Sequence, residues 1–182
     1  MTRGRALARW SALAPVVALV LCAAVAHRSS AAEPSAAPKS VALADLDAIK
    51  QQMQKSRGHT LVVHFWATWC LPCLKELPIV NRFAQDKKGQ GVDVLSLSLD
   101  DPKTSPRVAK VLGETAPALT RTIAKVDDPD AFIGQFDSKW EGAIPALFVF
   151  DAQGRLRGRH IGEATRPDLD GLILQATPEK TH

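Results

Sequence analysis

The sequence contains few cysteines and shows no internal repeat. Only three cysteines occur in 182 residues, which excludes a disulfide-rich scaffold, and a chain of this length buries enough apolar surface to stand without structural disulfides. The absence of a repeat excludes a solenoid array. Apolar residues make up 46% and charged residues 23% of the chain, which is typical of a soluble globular protein. We therefore expect one domain of ordinary size.

A clustered basic surface is also missing, although the formal net charge is +4. The excess comes largely from the first 26 residues, which hold three arginines and no acidic residue. Without them 20 basic and 19 acidic residues remain, a net charge of +1. The composition therefore predicts no nucleic-acid partner.

The N-terminus is typical of an export signal. Three arginines precede an uncharged apolar run over residues 10–26, which ends in small side chains. Cleavage is expected after Ala26 or Ala32. An uncleaved membrane anchor is the competing interpretation, and the 17 residues of the run lie at the lower edge of a bilayer span. Cys22 lies in this run, but Leu21 before it disfavours lipid attachment.

These features divide the chain into three parts. Residues 1–26 are a signal peptide or membrane anchor, and residues 27–40 form a linker rich in Ala, Ser and Pro. Residues 41–182 form the folded domain. We expect an extracytoplasmic location, in the periplasm or cell envelope, either soluble after signal cleavage or anchored through residues 10–26.

Hydrophobic periodicity predicts alternating helices and strands in the folded domain. The mixed order predicts an α/β fold with helices on both faces of a central sheet. The predicted elements are a helix from Val41 that ends by Gly58, a buried strand over 60–66, a helix from near Cys70 that contains Pro78, a parallel strand over 92–99, a helix over 103–112 closed by Gly113, a strand within 118–124, a short helix over 128–136, a hairpin of strands over 146–150 and 155–161, and a helix from Pro167.

Two thiols stand where the buried strand turns into a helix. Cys70 and Cys73 have Cys-x-x-Cys spacing, and the positive end of a helix stabilises a thiolate. We predict that Cys70 attacks and that the more shielded Cys73 resolves the mixed disulfide. A structural disulfide would constrain little of the unfolded chain at this spacing. A metal site needs further ligands that the sequence does not offer, so we expect neither a metal nor a cofactor. Two unrelated core cysteines are the remaining alternative.

Several short motifs together resemble the thioredoxin fold. They are Phe65-Trp66-Ala67, Trp69-Cys70, Pro72-Cys73, Pro78 in the following helix, and Ile144-Pro145 before a strand. The resemblance implies a three-layer sandwich and covers roughly residues 41–176. An exported chain with an extra β-α insertion between the two halves further resembles the TlpA-like branch. That branch contains membrane-linked thiol reductases, including cytochrome c maturation proteins.

The resemblance also implies a substrate face. It implies that Pro145 is cis and faces the dithiol, which leaves the backbone of Ile144 to pair with a peptide as an added strand. Trp69 is expected to pack beside the dithiol, and with Ile144 and Pro145 it makes up the predicted substrate-binding set. We assign Trp66 to the core and regard Trp140 as a candidate lining residue of this face.

Candidate proton acceptors come from two places in the sequence. The family's thioredoxins carry a buried acid in the strand beneath the second thiol, and this chain has His64 there instead. Its imidazole can accept the proton of Cys73, or it is a neutral buried histidine held by one hydrogen bond. Asp100 and Asp101 follow the second strand, close to where the TlpA-like branch places an active-site carboxylate. Asp101 is preferred from the alignment of the strand, and turn formation before Pro102 is the alternative role.

The residues between the thiols predict the direction of electron flow. Leu71 and Pro72 carry no charge and no donor to sulfur, so a moderately to strongly reducing pair is expected. We expect such a protein to reduce disulfides in exported proteins, of which apocytochrome c is the best-known case in the family it resembles, and to need a membrane thiol-disulfide transporter as its electron donor. A redox-inactive adaptor that binds partners at the Ile144-Pro145 face and a thiol peroxidase are the alternatives.

Overall fold

The computed structural model describes residues 40–176. Its elements in chain order are β1 (Ala42–Ala44), α1 (Leu46–Lys55), β2 (Thr60–Trp66), α2 (Leu71–Lys87), β3 (Val92–Ser98), α3 (Ser105–Thr115), β4 (Thr122–Ala124), α4 (Pro129–Gly134), β5 (Ala146–Phe150), β6 (Leu156–Ile161) and α5 (Arg166–Ala176). The predicted export signal, Cys22 and all of the linker except its last residue lie outside the described residues. Within residues 40–176, no helix is long and apolar enough to cross a membrane.

The six strands form one mixed sheet in the order β1-β4-β3-β2-β5-β6. β2 is central: it pairs with β3 in parallel along its whole length and with β5 antiparallel. β5 and β6 form the predicted antiparallel hairpin. A strand in this position is covered on both faces, which explains why β2 is apolar apart from Thr60 at its start and His64.

Helices cover both faces of the sheet. Alternate residues of β2 point to opposite faces. Val62 and Trp66 pack with the buried residues of α2, α3 and α5, whereas Val63 and Phe65 pack with those of α1 and α4. The predicted three-layer α/β sandwich is confirmed. The two faces of β2 therefore bury two separate apolar clusters.

The helix predicted from Val41 starts too early. Ala42–Ala44 is instead an edge strand that pairs in parallel with β4. Asp45 then caps α1, since its carboxylate accepts the backbone N–H of Ala48 at 2.9 Å. Residues 41–53 have helical spacing of apolar side chains. The first of them nevertheless form a strand, because their backbone groups pair with β4, about 80 residues further along the chain.

Two further boundaries differ from the prediction by three or four residues. Gly113 lies inside α3, which continues to Thr115, so it does not close the helix. The strand predicted within 118–124 is reduced to β4. The backbone N–H of Ala118 donates to Asn81 Oδ1 at 2.8 Å and so has its partner outside the sheet. Local periodicity carries no information about this contact between Ala118 and Asn81.

Candidate active site at the start of α2

Cys70 and Cys73 are joined by a disulfide at the N-terminus of α2. The sulfur atoms are 2.06 Å apart and the Cα atoms 5.2 Å apart. Cys70 is the N-cap residue, and its Sγ accepts the backbone N–H of Cys73 at 3.2 Å. Cys73 is fully buried, whereas Cys70 is 6% exposed. The predicted order, with Cys73 the more shielded sulfur, agrees with this geometry.

Local sequence explains why the sulfur atoms lie at this point. β2 ends at Trp66, and the N–H of Cys70 donates to the carbonyl of Ala67 at 3.2 Å, which closes a tight turn before the helix. Pro72 follows in the first helical turn. A proline is tolerated there because the N–H groups of the first turn have no partner within the helix. Pro78 lies further along, inside α2.

Apolar residues lie beside Cys70, both in the sequence and in the segment that contains Ile144. The Ile144-Pro145 peptide bond is cis, as the resemblance implies. The carbonyl oxygen of Ile144 lies 3.9 Å from Cys70 Sγ. Trp69 and Leu71, on either side of Cys70, are 64% and 65% exposed. The structure therefore brings Ile144 next to the sulfur that is predicted to attack, with two accessible apolar side chains beside it in the chain.

Trp140 does not line this surface. It is only 4% exposed, it stacks on Phe65 at 4.9 Å between ring centroids, and its indole N–H donates to the carbonyl of Ala143 at 2.8 Å. The expectation of a substrate contact is therefore corrected, since the ring fills the cluster on the α1 and α4 side of the sheet. Trp66 is fully buried, as predicted.

His64 takes part in a buried polar network beneath α2. It lies on β2 between Val62 and Trp66, and it is fully buried. Its Nε2 is 2.8 Å from Oε1 of Glu76, and its Nδ1 is 3.3 Å from Oγ of Ser96 on β3. An ionised carboxylate only accepts hydrogen bonds, so with Glu76 ionised the imidazole hydrogen is on Nε2. His64 thus has two hydrogen-bond partners, whereas the alternative interpretation predicted a buried histidine held by one hydrogen bond.

Glu76 is the site residue that the sequence analysis missed. It is fully buried, and its second oxygen, Oε2, accepts the backbone N–H of Ala164 at 2.7 Å. Glu76 follows Cys73 by three residues, a spacing that places two side chains on neighbouring positions of a helix surface. An available signal was that this acid interrupts the apolar face formed by Cys73, Leu77 and Val80, all of which are buried.

The preference for Asp101 over Asp100 is corrected. Asp101 is exposed, and its carboxylate accepts the N–H of Lys103 at 2.8 Å as the cap of a short 3-10 turn, Pro102–Thr104. Asp100 is only 4% exposed. Its carboxylate accepts two hydrogen bonds from Thr68, in the loop that leads to Cys70. Asp101 therefore stabilises the turn before Pro102, which was its alternative role, and Asp100 is the acid that contacts the loop before Cys70.

This fold, with a Cys-x-x-Cys disulfide capping the helix that follows the central strand, defines a thioredoxin-fold thiol-disulfide oxidoreductase. A protein-family model described as Redoxin matches residues 32–173. The chain belongs to the Redoxin family, within its TlpA-like branch.

Named relatives agree with this assignment. Thiol-disulfide oxidoreductase ResA of Bacillus anthracis is 30% identical over 134 residues, which cover 74% of this chain and 73% of that protein. ResA of Geobacillus kaustophilus is 29% identical over 172 residues, which cover 89% and 93%.

Solved structures give the same class. A thioredoxin-related protein from Neisseria meningitidis serogroup B superposes with a TM-score of 0.57 at 25% identity, over 68% of this chain and 88% of that one. A putative thiol:disulfide interchange protein DsbE from Chlorobium tepidum gives 0.54 at 25% identity, over 68% and 84%.

Proposed function

We propose that this protein acts outside the cytosol and reduces disulfides in exported proteins through Cys70 and Cys73. The observation that carries the proposal is the disulfide at the start of α2, with Cys70 at the N-cap and Cys73 fully buried. The export-type N-terminus supports the location. Reduction of apocytochrome c is one specific form of this activity, supported by the resemblance to the TlpA-like branch.

The reaction begins from the dithiol form. The Cys70 thiolate attacks one sulfur of the substrate disulfide, which breaks that bond and releases a substrate thiolate that takes up a proton. Cys73 then loses its proton and attacks Cys70 Sγ, which releases the second substrate thiolate. Two electrons pass to the substrate, and the Cys70–Cys73 disulfide seen in the structure is the product. The helix N-terminus stabilises the attacking thiolate.

The surface beside Cys70 is suited to an extended peptide. The carbonyl of Ile144 lies 3.9 Å from Cys70 Sγ, close enough for a peptide strand paired with the backbone of Ile144 to bring its own sulfur to Cys70. Trp69 and Leu71 offer apolar contacts to the residues that flank the substrate cysteine. Backbone pairing is independent of side chains, so this mode allows several different substrates.

In this proposal, the proton that leaves Cys73 is accepted by the buried pair formed by His64 and Glu76. Both side chains are fully buried and 2.8 Å apart, and Glu76 lies one helical turn after Cys73. A proton leaving Cys73 enters a network that already shares hydrogens and is shielded from bulk water. If His64→Gln leaves the pH profile of disulfide exchange unchanged, the imidazole has no part in this transfer.

The direction of electron flow follows from the residues between the thiols. The most oxidising members of the class strongly stabilise the thiolate form, and Leu71 and Pro72 provide no charge for that purpose. We expect a reducing pair, recharged by a membrane thiol-disulfide transporter. A reduction potential more positive than about −180 mV, the level of disulfide isomerase, contradicts this direction.

The most direct test is substrate trapping with Cys73→Ser. This variant keeps the attacking thiol but cannot resolve the mixed disulfide, so exported proteins should accumulate on Cys70. Cys70→Ser is the matched control and should trap none. Reduction of insulin by the wild type excludes the redox-inactive adaptor, and a failure to consume peroxide excludes the thiol peroxidase. Equal trapping by both variants contradicts the assignment of Cys70 as the attacking thiol.

A further inference from the structure

A buried carboxylate holds the loop that presents Cys70. Asp100 lies two residues after the end of β3. It is only 4% exposed. Its Oδ2 accepts the N–H of Thr68 at 2.8 Å, and its Oδ1 accepts the Thr68 hydroxyl at 2.6 Å. The hydroxyl of Ser98 adds a third hydrogen bond, to Oδ2 at 2.6 Å. Both polar groups that Thr68 can donate are thus bound to one side chain.

A positively charged side chain, that of Arg107, also contacts Thr68. Arg107, on α3, donates from its guanidinium to the carbonyl oxygen of Thr68 at 3.3 Å. Thr68 itself is only 3% exposed, and it precedes Cys70 by two residues. Consecutive Cα atoms are about 3.8 Å apart, so the Cα atoms of Thr68 and Cys70 are at most about 8 Å apart. A negative and a positive side chain therefore both bind the residue that lies two positions before the attacking cysteine.

We propose that Asp100 is a positioning residue whose charge opposes the thiolate of Cys70, while Arg107 favours it. The inference rests on the proposed function of Cys70 as the attacking thiol. A nearby negative charge destabilises a thiolate and a nearby positive charge stabilises it. A destabilised thiolate favours the disulfide form and makes the pair more reducing. Asp100 thus makes the dithiol pair more reducing, and the uncharged residues Leu71 and Pro72 do not counteract this effect.

The elements that pack around the dithiol carry other charged groups. The pair formed by His64 and Glu76 lies beneath α2, Lys75 is exposed on α2, and Glu141 is exposed in the loop before Ile144. Asp101 is exposed beside Asp100 and contacts the N–H of Lys103, not Thr68. A substitution at Asp101 therefore changes the net charge as one at Asp100 does, without touching the loop.

The test is the redox equilibrium with glutathione at pH 7. Two glutathione thiols reduce the Cys70–Cys73 disulfide, giving the protein dithiol and oxidised glutathione. Asp100→Asn keeps the size of the side chain, and its hydroxyl neighbours can turn to accept from the amide. We expect it to raise the equilibrium constant for this reduction about threefold to tenfold, where tenfold is about 30 mV. Arg107→Gln should lower the constant.

Asp101→Asn is the matched control and should leave the constant near that of the wild type. A second readout is the pH at which half of Cys70 is alkylated by iodoacetamide. This pH should fall in Asp100→Asn and rise in Arg107→Gln, whereas a purely structural role predicts no opposite shifts. The inference is overturned if Asp100→Asn matches Asp101→Asn, or if the Asp100 and Arg107 variants shift in the same direction.

Folding failure would not remove the test. Should Asp100→Asn fail to fold, Arg107→Gln, at an exposed residue, still has to lower the equilibrium constant, and an unchanged or higher value overturns the inference. Thr68→Val retains both charges but removes the hydroxyl bond, and it should not reproduce the Asp100→Asn shift. Because glutathione replaces the protein substrate, a failure of the proposed function appears separately, as wild-type protein that does not reduce insulin.

Discussion

His64 and Glu76 form the one fully buried pair of ionisable side chains beneath the dithiol helix, within the part of the chain that the structure describes. Removing one partner of such a pair leaves an uncompensated buried group. We predict that His64→Leu lowers the free energy of unfolding by about 3–5 kcal/mol. His64→Gln should have a smaller effect because its amide can still donate to Glu76. Urea unfolding of both variants measures the difference.

A second substitution checks the cause of that loss. Glu76→Gln in the His64→Leu background replaces the unpaired buried carboxyl group with an amide, whose oxygen can still accept the N–H of Ala164. The double variant should recover stability relative to His64→Leu alone. If it is less stable by the sum of the single effects, burial of an unpaired carboxyl group is not the reason for the loss, because independent effects add.

Trp140 gives a residue-scale test of a corrected prediction. It is stacked on Phe65 in the core and buried. Trp140→Ala should therefore destabilise the fold by about 3–5 kcal/mol while leaving the rate of insulin reduction per folded molecule unchanged. Trp69→Ala is the contrasting variant at an exposed position, with little effect on stability and slower reduction. A selective rate loss in Trp140→Ala would restore its substrate role.

The sequence revealed Cys70 and Cys73 because their chemistry depends on spacing within one helical turn. It did not reveal the partners of His64 and Asp100. Glu76 is 12 positions from His64 and Thr68 is 32 positions from Asp100, and only the packing of α2 and β3 against β2 brings these pairs together. Buried polar groups require partners, so the presence of a partner for each was predictable, while its identity was not.

At the scale of elements, long segments were predicted better than short ones. β2 and α2 carry their signal over 7 and 17 residues, and both appear near the predicted positions. β1 and β4 have only three residues each and exist because β4 pairs with both β1 and β3. Too few alternating positions are present in such a strand for a period to be recognised.

The N-terminus of α5 contains a pH-sensitive contact. Asp168 accepts the hydroxyl of Thr165 at 2.5 Å and its backbone N–H at 2.8 Å. The side-chain hydrogen bond, followed by the backbone one, lowers the pKa of Asp168 below its ordinary value. A carboxyl group whose pKa is lower in the folded state stabilises the fold above its unfolded pKa of about 3.9. That contribution is lost as the pH falls through the folded value.

We therefore predict that Asp168→Asn lowers the urea midpoint at pH 7 and that its difference from the wild type shrinks below about pH 3.9. Urea titrations at neutral and acidic pH measure both. Thr165→Ala, alone and combined with Asp168→Asn, is the control, and the two losses should not add because they remove the same contact. An equal difference at both pH values argues against this role of the carboxylate.

At the scale of the whole molecule, the topology gathers the site at one edge of the sheet. β2 and β3 are parallel, so the loop after β2 and the residues after β3 leave the sheet at the same edge. β5 is antiparallel to β2, so the segment before it, Ile144-Pro145, begins at that edge too. The loop at Ala164 follows β6 and also reaches Glu76. Four separate segments of sequence thus meet at the end of the sheet where α2 begins.

The proposed direction of electron flow leads to a prediction for the intact cell. An exported reducing pair becomes oxidised with each substrate it reduces, so its steady state depends on a supply of electrons from the membrane. We predict that acid trapping followed by thiol alkylation finds a substantial fraction of the Cys70–Cys73 pair reduced in cells with a membrane thiol-disulfide transporter. In cells that lack the transporter, the pair should be almost fully oxidised.

Two controls connect that result to the location and direction of the reaction. A variant without residues 1–26 should stay in the cytosol and remain reduced with or without the transporter, because cytosolic thiol systems keep dithiols reduced. A Cys70→Ser variant should show no change in the alkylation state of Cys73. If the exported wild type is equally oxidised in both strains, the pair is not recharged by the transporter, and an oxidant role then becomes the better explanation of the site.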